Sequence, residues 1–203
     1  MNIALIGATG QVGSRILAEA LARGHQVTAI ARNPAALAAR PGLSPLALDV
    51  TDAQRLAAAL AGHDALVISV KYSEVAAAPL LEAARRAGVP RVLVVGGAGS
   101  LQVAPGVDLV DTLEFPAPYK AEALAARAFL LQLRGERVID WTLLSPSALL
   151  QPGPRTGRYR IGGDQLLVDA QGASTVSIDD LAHALVDELE QPRHSRSRFT
   201  VGY

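Results

Sequence analysis

The chain opens on the stretch that decides its fold, Met1-Asn2-Ile3-Ala4-Leu5-Ile6-Gly7-Ala8-Thr9-Gly10-Gln11-Val12-Gly13. The apolar residues 3–6 predict a buried strand, and a helical pattern follows over residues 14–22. Between them, Gly7 allows a tight turn, Gly10 lets the backbone approach a pyrophosphate, and Gly13 lets the helix pack closely on the strand. Strand, glycine turn and helix together predict a dinucleotide site over residues 7–13, with the phosphates facing the free N–H groups of the helix. A purely structural turn is the alternative.

Length and composition indicate a compact, enzyme-sized unit. The 203 residues suit one α/β domain, and half of them are hydrophobic, which is enough for a substantial core. Basic and acidic residues number 19 each, so the formal net charge is zero and no overall field favours nucleic acid or a membrane surface. The absence of cysteine excludes disulfides, thiolate catalysis and cysteine-ligated metal.

Targeting and metal-binding signals are missing from the sequence as well. No apolar run reaches the roughly 18 residues of a membrane span, and the first strand begins too early to leave room for a signal peptide. We therefore expect a cytoplasmic protein with no membrane and no nucleic-acid partner. The histidines are scattered, which predicts no metal site, and residues 193–198 predict a solvated loop rather than a nucleic-acid patch.

Strands and helices alternate along the first 144 residues. Apolar runs predict strands at 3–6, 27–31, 45–48, 65–70, 91–95 and 140–144. Helical patterns lie between them at 14–22, 52–60, 76–87 and 117–133, with Thr51 or Asp52 capping the second and Gly88 ending the third. Because the strands show little polar alternation, they predict a parallel sheet covered on both faces, which is the doubly wound α/β arrangement of a Rossmann fold.

The last quarter of the chain changes character. Residues 158–161 and 165–168 predict two short strands around the turn Gly162-Gly163-Asp164. Residues 175–177 lead into a helix over 179–189, capped by Ser177 or Asp179, and residues 199–201 predict a last strand. Since no linker or repeat interrupts the chain, we expect one domain over residues 1–203, in which residues 151–203 form a C-terminal cap on the substrate side.

Three stretches carry a family resemblance: residues 7–13, Tyr119-Lys120-Ala121-Glu122-Ala123 and Asp140-Trp141-Thr142-Leu143-Leu144-Ser145-Pro146. They resemble the short-chain dehydrogenase/reductase superfamily, in its atypical branch of NmrA-like and NADH–flavin reductase proteins. The resemblance runs over essentially the whole chain and includes residues 162–167 and 177–182. It implies a Rossmann fold and a nicotinamide cofactor. It implies the reaction less directly, because such relatives include both reductases and cofactor-binding regulators.

The end of the second strand bears on the choice of cofactor. NAD sites usually place an acidic residue there, whose carboxylate bonds the ribose 2′-hydroxyl and would repel a 2′-phosphate. Here the position reads Ala29-Ile30-Ala31-Arg32-Asn33, with no acid. Arg32 offers a planar, bidentate fork to a phosphate, so the sequence favours NADP(H) over NAD(H). A solvated arginine at a strand end is the alternative.

Other cofactor contacts are expected at the carboxyl ends of the strands, where such sheets form their ligand crevice. Ser145 and Pro146 resemble the family segment beside the nicotinamide ring. Asp49 follows the third strand, and an equally open interpretation of this residue is a helix-initiating acid. The strand-end candidates are Asp49 and Val50 for the adenine, Ser69 and Val70 for the pyrophosphate and ribose, and Gly96 and Gly97 for the nicotinamide half.

The catalytic residues are less clearly indicated. The resemblance implies a Tyr-x-x-x-Lys pair, in which the lysine lowers the tyrosine pKa and the tyrosine relays the proton. In this chain Tyr119 and Lys120 are adjacent, with Ala123 four residues after the tyrosine and Pro116 four before the lysine. Adjacent helical side chains point about 100° apart and cannot form that pair. We expect Lys120 to bond the nicotinamide ribose, Tyr119 to line the substrate pocket and Ser100 to be a further donor; each has a bystander role as its alternative.

The leading hypothesis is an NADPH-dependent reductase of a small conjugated acceptor, such as a flavin or quinone. Hydride transfer is the chemistry of the cofactor, and a conjugated acceptor can take its proton from water. One alternative is a redox sensor that binds NADP(H) without turnover. A sugar-nucleotide epimerase or dehydratase ranks lower, because the chain is short and lacks the tyrosine–lysine pair. A homodimer or a protein partner is compatible with each hypothesis.

Overall fold

A computed structural model describes residues 1–203, apart from the side chain of Ala36. The strands, in chain order, are β1 (Asn2–Ile6), β2 (Gln26–Ala31), β3 (Leu43–Ala47), β4 (Ala65–Ile68), β5 (Arg91–Val95), β6 (Gln102–Ala104), β7 (Val107–Asp108), β8 (Asp140–Ser145), β9 (Leu149–Gln151), β10 (Arg160–Gly162), β11 (Thr175–Ser177) and β12 (Ser197–Gly202). The α-helices are α1 (Gln11–Ala22), α2 (Ala53–Leu60), α3 (Ala77–Ala87), α4 (Ala117–Gly135) and α5 (Ile178–Glu190).

The central sheet has the strand order β10-β12-β8-β5-β4-β1-β2-β3. Neighbouring strands in it are parallel except for β10 and β12. The chain adds β2 and β3 on one side of β1, then crosses back and adds β4, β5, β8 and β12 on the other. The prediction of a doubly wound Rossmann fold is therefore confirmed. Its switch point lies between β1 and β4, where such sheets bind ligands beyond the carboxyl ends of the strands.

Helices cover both faces of the sheet. In β4, Leu66 and Ile68 join the core under α2, α3 and α4, whereas Ala65 and Val67 join the core under α1 and α5. All four side chains are buried. A strand that is buried on both faces carries apolar residues at every position, which is why unbroken apolar runs predicted these strands.

Local signals account for several element boundaries. β5 has the predicted bounds, and Gly88 ends α3 in a left-handed conformation with a φ of 65°. Asp52 caps α2 and Ser177 caps α5, each by accepting a backbone N–H three residues later. The prediction for the third strand is wrong at its start, since β3 begins at Leu43 rather than Pro45. As an edge strand, β3 tolerates a proline, which has no N–H to donate.

The C-terminal quarter departs from its prediction. Residues 160–162 form β10, but β10 pairs antiparallel with β12, and residues 165–168 form no strand in the described chain. The predicted hairpin is therefore wrong. The free edge of β12 offers β10 a partner, and Gly162 fits against it because a Cβ there would lie only 3.1 Å from Thr200 Cγ2. Through β10, β12 and α5, residues 151–203 contribute to the central sheet and to its helical cover.

Two small sheets lie outside the central one and were not predicted. They pair β6 with β7 and β9 with β11. Strands of two or three residues are too short to produce a hydrophobic period that can be recognised in a sequence.

As for the helices of the described chain, none combines the length and the apolar character needed to cross a bilayer.

Glu136 ends α4 and ties it to α3. Its carboxylate accepts the backbone N–H groups of Arg137, Val138 and Ile139 at 2.7–3.3 Å and pairs with Arg85 of α3 at 3.0 Å. Burial opposes the charge, but the hydrogen bonds from Val138 and Arg85 outweigh it and lower the pKa of Glu136 from its ordinary 4.5 to about 2. The charged carboxylate therefore stabilises this corner of the fold.

We expect Glu136→Gln to lower the free energy of unfolding by about 1.5–3 kcal/mol at neutral pH, the usual contribution of hydrogen bonds to a charged group. Because the folded-state pKa is depressed, the contribution of the charge is present above pH 4.5 and is lost as the pH falls through about 2. Urea unfolding of both proteins across this range checks the expectation. The difference between them should shrink on acidification, and a constant difference would contradict the assignment.

Candidate functional site

Two glycines of the first turn are required by the fold itself. Gly7 has a φ of 85°, in the left-handed region that favours glycine, and a Cβ there would lie 1.9 Å from the Ser69 carbonyl oxygen. A Cβ on Gly13 would lie 2.1 Å from the Gly7 carbonyl oxygen. The structure thus shows the tight turn and the close packing of α1 on β1 that the sequence predicts at these two positions.

Gly10 precedes α1 and leaves the front of the helix open. Its φ of −73° is available to any residue, and a Cβ there would approach only the Gly7 carbonyl oxygen, at 3.3 Å. Along the described residues of α1, no side chain caps the N-terminus and no acid lies in the first turn. The first three helical N–H groups precede the first intrahelical bond, from Ser14 to Gly10 at 2.9 Å, so they remain available to an anion. Of the other predicted turn residues, Ala8 is buried, Val12 is half-buried, and Thr9 and Gln11 are exposed.

Backbone hydrogen bonds hold the predicted strand ends side by side. The N–H groups that follow β1, β4 and β5 each donate to a carbonyl near the end of a neighbouring strand at 2.8–3.1 Å: Gly7 to Ile30, Ser69 to Ile6 and Gly96 to Leu144. The half-buried Val70 continues from Ser69. The ends of β1, β2, β4, β5 and β8 therefore meet at one edge of the sheet, around its switch point, where a ligand crevice is expected.

Arg32 and Asp49 follow neighbouring strands, β2 and β3. Arg32 is exposed, and no hydrogen bond or ion pair joins it to another described side chain. Asp49 accepts the N–H and the hydroxyl of Thr51 at 3.0 and 2.8 Å, and these bonds, with a smaller contribution from the charge of Arg32, lower the pKa of Asp49. Val50 packs against the core. Asp49 thus shapes its own turn, while the guanidinium of Arg32 is available to a ligand.

Gly96 and Gly97 differ in what requires their small size. A Cβ on Gly96 would lie 2.5 Å from Leu143 Cδ2, so any larger residue here would force the buried Leu143 side chain to move. A Cβ on Gly97 would meet only the Ala126 Cβ, at 3.5 Å, which is ordinary van der Waals contact. The sequence prediction gave both glycines the same role, but the fold itself requires only Gly96.

Ser145 ends β8 with an unpaired hydroxyl. The residue is fully buried, and its carbonyl accepts the Thr200 hydroxyl at 2.9 Å. Its own Oγ has no hydrogen-bond partner among the described residues, and the buried Pro146 follows it. Buried polar groups are normally paired, and this hydroxyl at the end of β8 is not. Because no part of Ser145 is exposed, a ligand would reach the hydroxyl only after neighbouring atoms move.

Tyr119 and Lys120 lie in the first turn of α4, which begins at the same edge of the sheet because it connects two parallel strands. Tyr119 is 67% exposed, and Lys120 is exposed too. Neither side chain makes a hydrogen bond within the described chain. Successive helical residues diverge by about 100°, so the two do not form a tyrosine–lysine pair, as their spacing predicts.

Ser100 faces a cavity of about 320 Å³ between α4 and β12. Its Oγ accepts a hydrogen bond from the Arg198 guanidinium at 2.9 Å, and Arg198 also donates to Asp164. The Arg198 side chain is only 2% exposed, so the prediction of a solvated loop over residues 193–198 is wrong at this position. A buried guanidinium needs fixed acceptors, and Ser100 and Asp164 supply them. Ser100 therefore helps to anchor Arg198.

Two residues beside the site were missed by sequence analysis. The Tyr72 hydroxyl donates to the Val95 carbonyl at 2.7 Å, and burial, with a further contribution from Glu122, raises the pKa of Tyr72 far above its ordinary range. The Glu122 carboxylate accepts the N–H groups of Tyr72 and Ser73 at 2.8 and 2.9 Å. Glu122 stands between two alanines in the stretch that also contains Tyr119 and Lys120. A lone acid in this position was the sequence signal that could have identified it.

The histidine rings contact carboxylates, hydroxyls or a backbone carbonyl rather than one another. His25 lies 2.9 Å from Glu190, and His194 lies 2.7 Å from Glu188. Within the described part of the chain, no group of three or more histidine, aspartate or glutamate side chains is arranged to hold a metal ion.

Solved structures of similar proteins cover the whole chain. A proposed exported protein from Burkholderia pseudomallei is 50% identical with a TM-score of 0.91, and all of both chains is covered. A proposed epimerase from Bacteroides thetaiotaomicron is 42% identical with a TM-score of 0.96, covering all of this chain and 96% of that one. A proposed NADH–flavin reductase from Streptococcus pneumoniae is 33% identical with a TM-score of 0.87, covering all of this chain and 99% of that one.

The family model with the description NAD(P)H-binding matches residues 7–192. The matched range includes the glycine turn, the strand ends at the ligand edge and the start of α4. It agrees with the helix N-terminus that the structure leaves open to an anion. The chain belongs to this NAD(P)H-binding family.

Proposed function

We propose that the protein is an NADPH-dependent reductase that passes hydride to a small conjugated acceptor, such as a flavin or quinone. The observation that carries the proposal is the uncapped N-terminus of α1. Three helical N–H groups are available there, and Gly10 leaves the space in front of them open. A helix end of this kind favours a pyrophosphate through its donors and its dipole.

The residues present fit the two halves of such a cofactor. On the adenosine half, the exposed guanidinium of Arg32 would bond a ribose 2′-phosphate, and one oxygen of Asp49 remains for the adenine amino group. On the nicotinamide half, Lys120 would donate to the ribose, and the unpaired Ser145 hydroxyl would bond the nicotinamide. Gly97 leaves room beside them, because a Cβ there would make only ordinary contact.

When bound, NADPH supplies the hydride, and the chain's own residues orient it and exclude competing reactions. Tyr119 would line the acceptor side of the cleft. Tyr72 keeps its proton, because burial raises its pKa and its hydroxyl donates to Val95. With no tyrosine–lysine pair to relay a proton, a conjugated acceptor that takes its proton from water is the best match to the site.

Similarity to the proposed NADH–flavin reductase of S. pneumoniae supports a flavin as acceptor. The test is stopped-flow oxidation of NADPH by the purified protein, with FMN, FAD and a soluble quinone offered in turn. Rapid oxidation with any of them supports the reductase. Tight NADPH binding without oxidation across all acceptors would overturn it.

A redox sensor that binds NADP(H) without turnover is the second candidate. It is favoured by one observation, the exposure of Tyr119 and Lys120 without partners. An epimerase, the activity named for the B. thetaiotaomicron relative, is less compatible, because proton transfer at a sugar carbon requires a positioned acid and base. We further propose a cytoplasmic location; a homodimer or a protein partner is compatible with either function.

We expect Arg32→Ala to weaken NADPH binding by about 1.5–3 kcal/mol more than NADH binding, the value of hydrogen bonds to a charged group. The physical reason is that only NADPH carries a 2′-phosphate for the guanidinium to bond. Calorimetric titration of both cofactors checks this, with Arg137→Ala, an exposed arginine beyond the far end of α4, as the control. Equal losses for the two cofactors would mean that Arg32 does not contact the 2′-phosphate.

A further inference from the structure

One carboxylate on α4 holds the loop that leaves β4. Glu122 Oε1 accepts the Tyr72 N–H at 2.8 Å, and Oε2 accepts the N–H and the hydroxyl of Ser73 at 2.9 and 2.6 Å. All three donors come from two consecutive loop residues. All three hydrogen bonds end on a single α4 side chain, which lies two residues beyond Lys120.

Tyr72 anchors the same loop at two further points. Its hydroxyl donates to the Val95 carbonyl at the end of β5 at 2.7 Å. Its ring meets the Phe129 ring of α4 edge to face, with centroids 4.9 Å apart. Residues 72–73 are thus held by β5 and α4 together, and the Glu122 carboxylate provides the charged contact.

The loop after β4 and the start of α4, which Glu122 joins, lie on opposite halves of the proposed cofactor site. The loop begins at Ser69, whose carbonyl approaches Gly7 so closely that a Cβ there would lie at 1.9 Å. The helix begins with Tyr119 and Lys120. Any shift of α4 relative to the loop would therefore move Lys120 relative to the phosphate-binding turn.

We propose that Glu122 is a positioning residue, which sets the place of Lys120 relative to the glycine turn so that one nicotinamide cofactor is held at both ends. This inference rests on the proposed binding of NADP(H). Glu122 itself does not have to touch the cofactor. Its effect is transmitted through the loop and through the first turns of α4.

The chemistry of the donors explains why a carboxylate is needed. A carboxylate is acceptor-only on both oxygens, so it satisfies two N–H groups and a hydroxyl at once. A glutamine keeps the shape but offers one acceptor oxygen, so in either orientation its NH₂ group would face a backbone N–H donor, from Tyr72 or from Ser73. Glu122→Gln therefore changes the contact without removing side-chain volume.

The matched control for this substitution lies at the other end of the same helix. The carboxylate of Glu136 also accepts three backbone N–H groups. It lies beyond the end of α4 that is remote from the ligand edge. Glu136→Gln should therefore lower stability without altering the cofactor site.

We expect Glu122→Gln to bind NADPH about tenfold more weakly than the wild-type protein, the change that corresponds to one displaced hydrogen-bonding group. Calorimetric titration with NADPH, well below the unfolding temperature of each variant, measures this. Glu136→Gln should bind NADPH like the wild type. Equal affinity in Glu122→Gln and wild type, or an equal loss in Glu136→Gln, would overturn the proposal.

A second measurement separates positioning from a merely structural role. If Glu122 acts through Lys120, then Lys120→Ala should weaken NADPH binding less in the Glu122→Gln background than in the wild type. A double-mutant cycle of the four proteins gives this coupling. Additive losses would overturn the proposal, because they would mean that the two side chains contribute independently.

Ser73→Ala covers the possibility that Glu122→Gln does not fold. It removes one of the three hydrogen bonds to Glu122, from an exposed residue, and we expect about a threefold weaker NADPH affinity. An unchanged affinity overturns the proposal.

The wild-type titration distinguishes failure of the proposed function from failure of this inference. A wild-type protein that binds neither NADPH nor NADH overturns the proposed function and this inference together, whereas wild-type binding that Glu122→Gln leaves unaltered overturns this inference alone.

Discussion

A Gly10→Val variant is expected to keep its fold and to lose most of its affinity for NADPH. The φ of −73° at Gly10 suits valine, and the added Cβ would meet only the Gly7 carbonyl oxygen, at a tight 3.3 Å that requires a shift of a few tenths of an ångström. The valine methyl groups would then occupy the space in front of the first helical N–H groups. Displacing a pyrophosphate from two such donors costs about 3–6 kcal/mol, which is more than 100-fold in affinity.

Calorimetric titration with NADPH measures the loss, and urea unfolding establishes that the variant is folded. Gly135→Val is the matched control, because Gly135 lies at the far end of α4 and a Cβ there would meet no atom within 4 Å. The control should bind NADPH normally. Unchanged affinity in a folded Gly10→Val variant would mean that the turn is structural and does not hold a pyrophosphate.

Lys120→Ala and Tyr119→Phe are expected to behave differently, although the two residues are adjacent. Removing the ammonium group should raise the dissociation constant of NADPH and slow hydride transfer by about 100-fold, because a nicotinamide displaced by an ångström loses its reactive geometry. Tyr119→Phe keeps the ring and removes only the hydroxyl. Its cost should stay below the roughly 100-fold minimum that is typical of a lost general acid.

Stopped-flow oxidation of NADPH with an accepted electron acceptor separates these effects, and Tyr119→Phe serves as the internal control for Lys120→Ala. A loss of about 1000-fold in Tyr119→Phe, with unchanged NADPH binding, would make the tyrosine a proton donor after all. If Lys120→Ala binds NADPH with the wild-type dissociation constant, Lys120 does not contact the ribose. In that case, the coupling proposed between Lys120 and Glu122 would have no basis.

Local sequence was sufficient for the framework of the fold and for the turn at its centre. β4 and residues 92–95 of β5 are buried on both faces and appear as unbroken apolar runs, and β5 was predicted with its observed bounds. Gly7 and Gly13 were assigned from their place between strand and helix. The 2.1 Å approach of a Gly13 Cβ to the Gly7 carbonyl oxygen follows from that local geometry, whereas the 1.9 Å approach at Gly7 is to Ser69 and arises only once β4 pairs with β1. The parallel order of the sheet then brings the strand ends to one edge, as the alternation of strands and helices predicts.

Boundaries and roles were predicted less well wherever a partner distant in the sequence decides them. β10 pairs with β12 instead of with residues 165–168, because the free edge of β12 is created only when the C-terminal strand joins the sheet. Ser100 accepts a hydrogen bond from Arg198, 98 residues later in the chain, and sequence analysis did not predict this contact. Neither pairing leaves a periodic trace in the sequence.

What the sequence by itself determined is the Rossmann framework and the position of the glycine turn, since hydrophobic period and the placement of glycines are properties of a few consecutive residues. Only the tertiary structure decided what Arg198, Tyr72 and Glu122 do. Glu122 receives its donors from 49 and 50 residues earlier in the chain. A buried guanidinium or a shared carboxylate is stabilised by the geometry of its partners, and that geometry exists only after the strands and helices have packed.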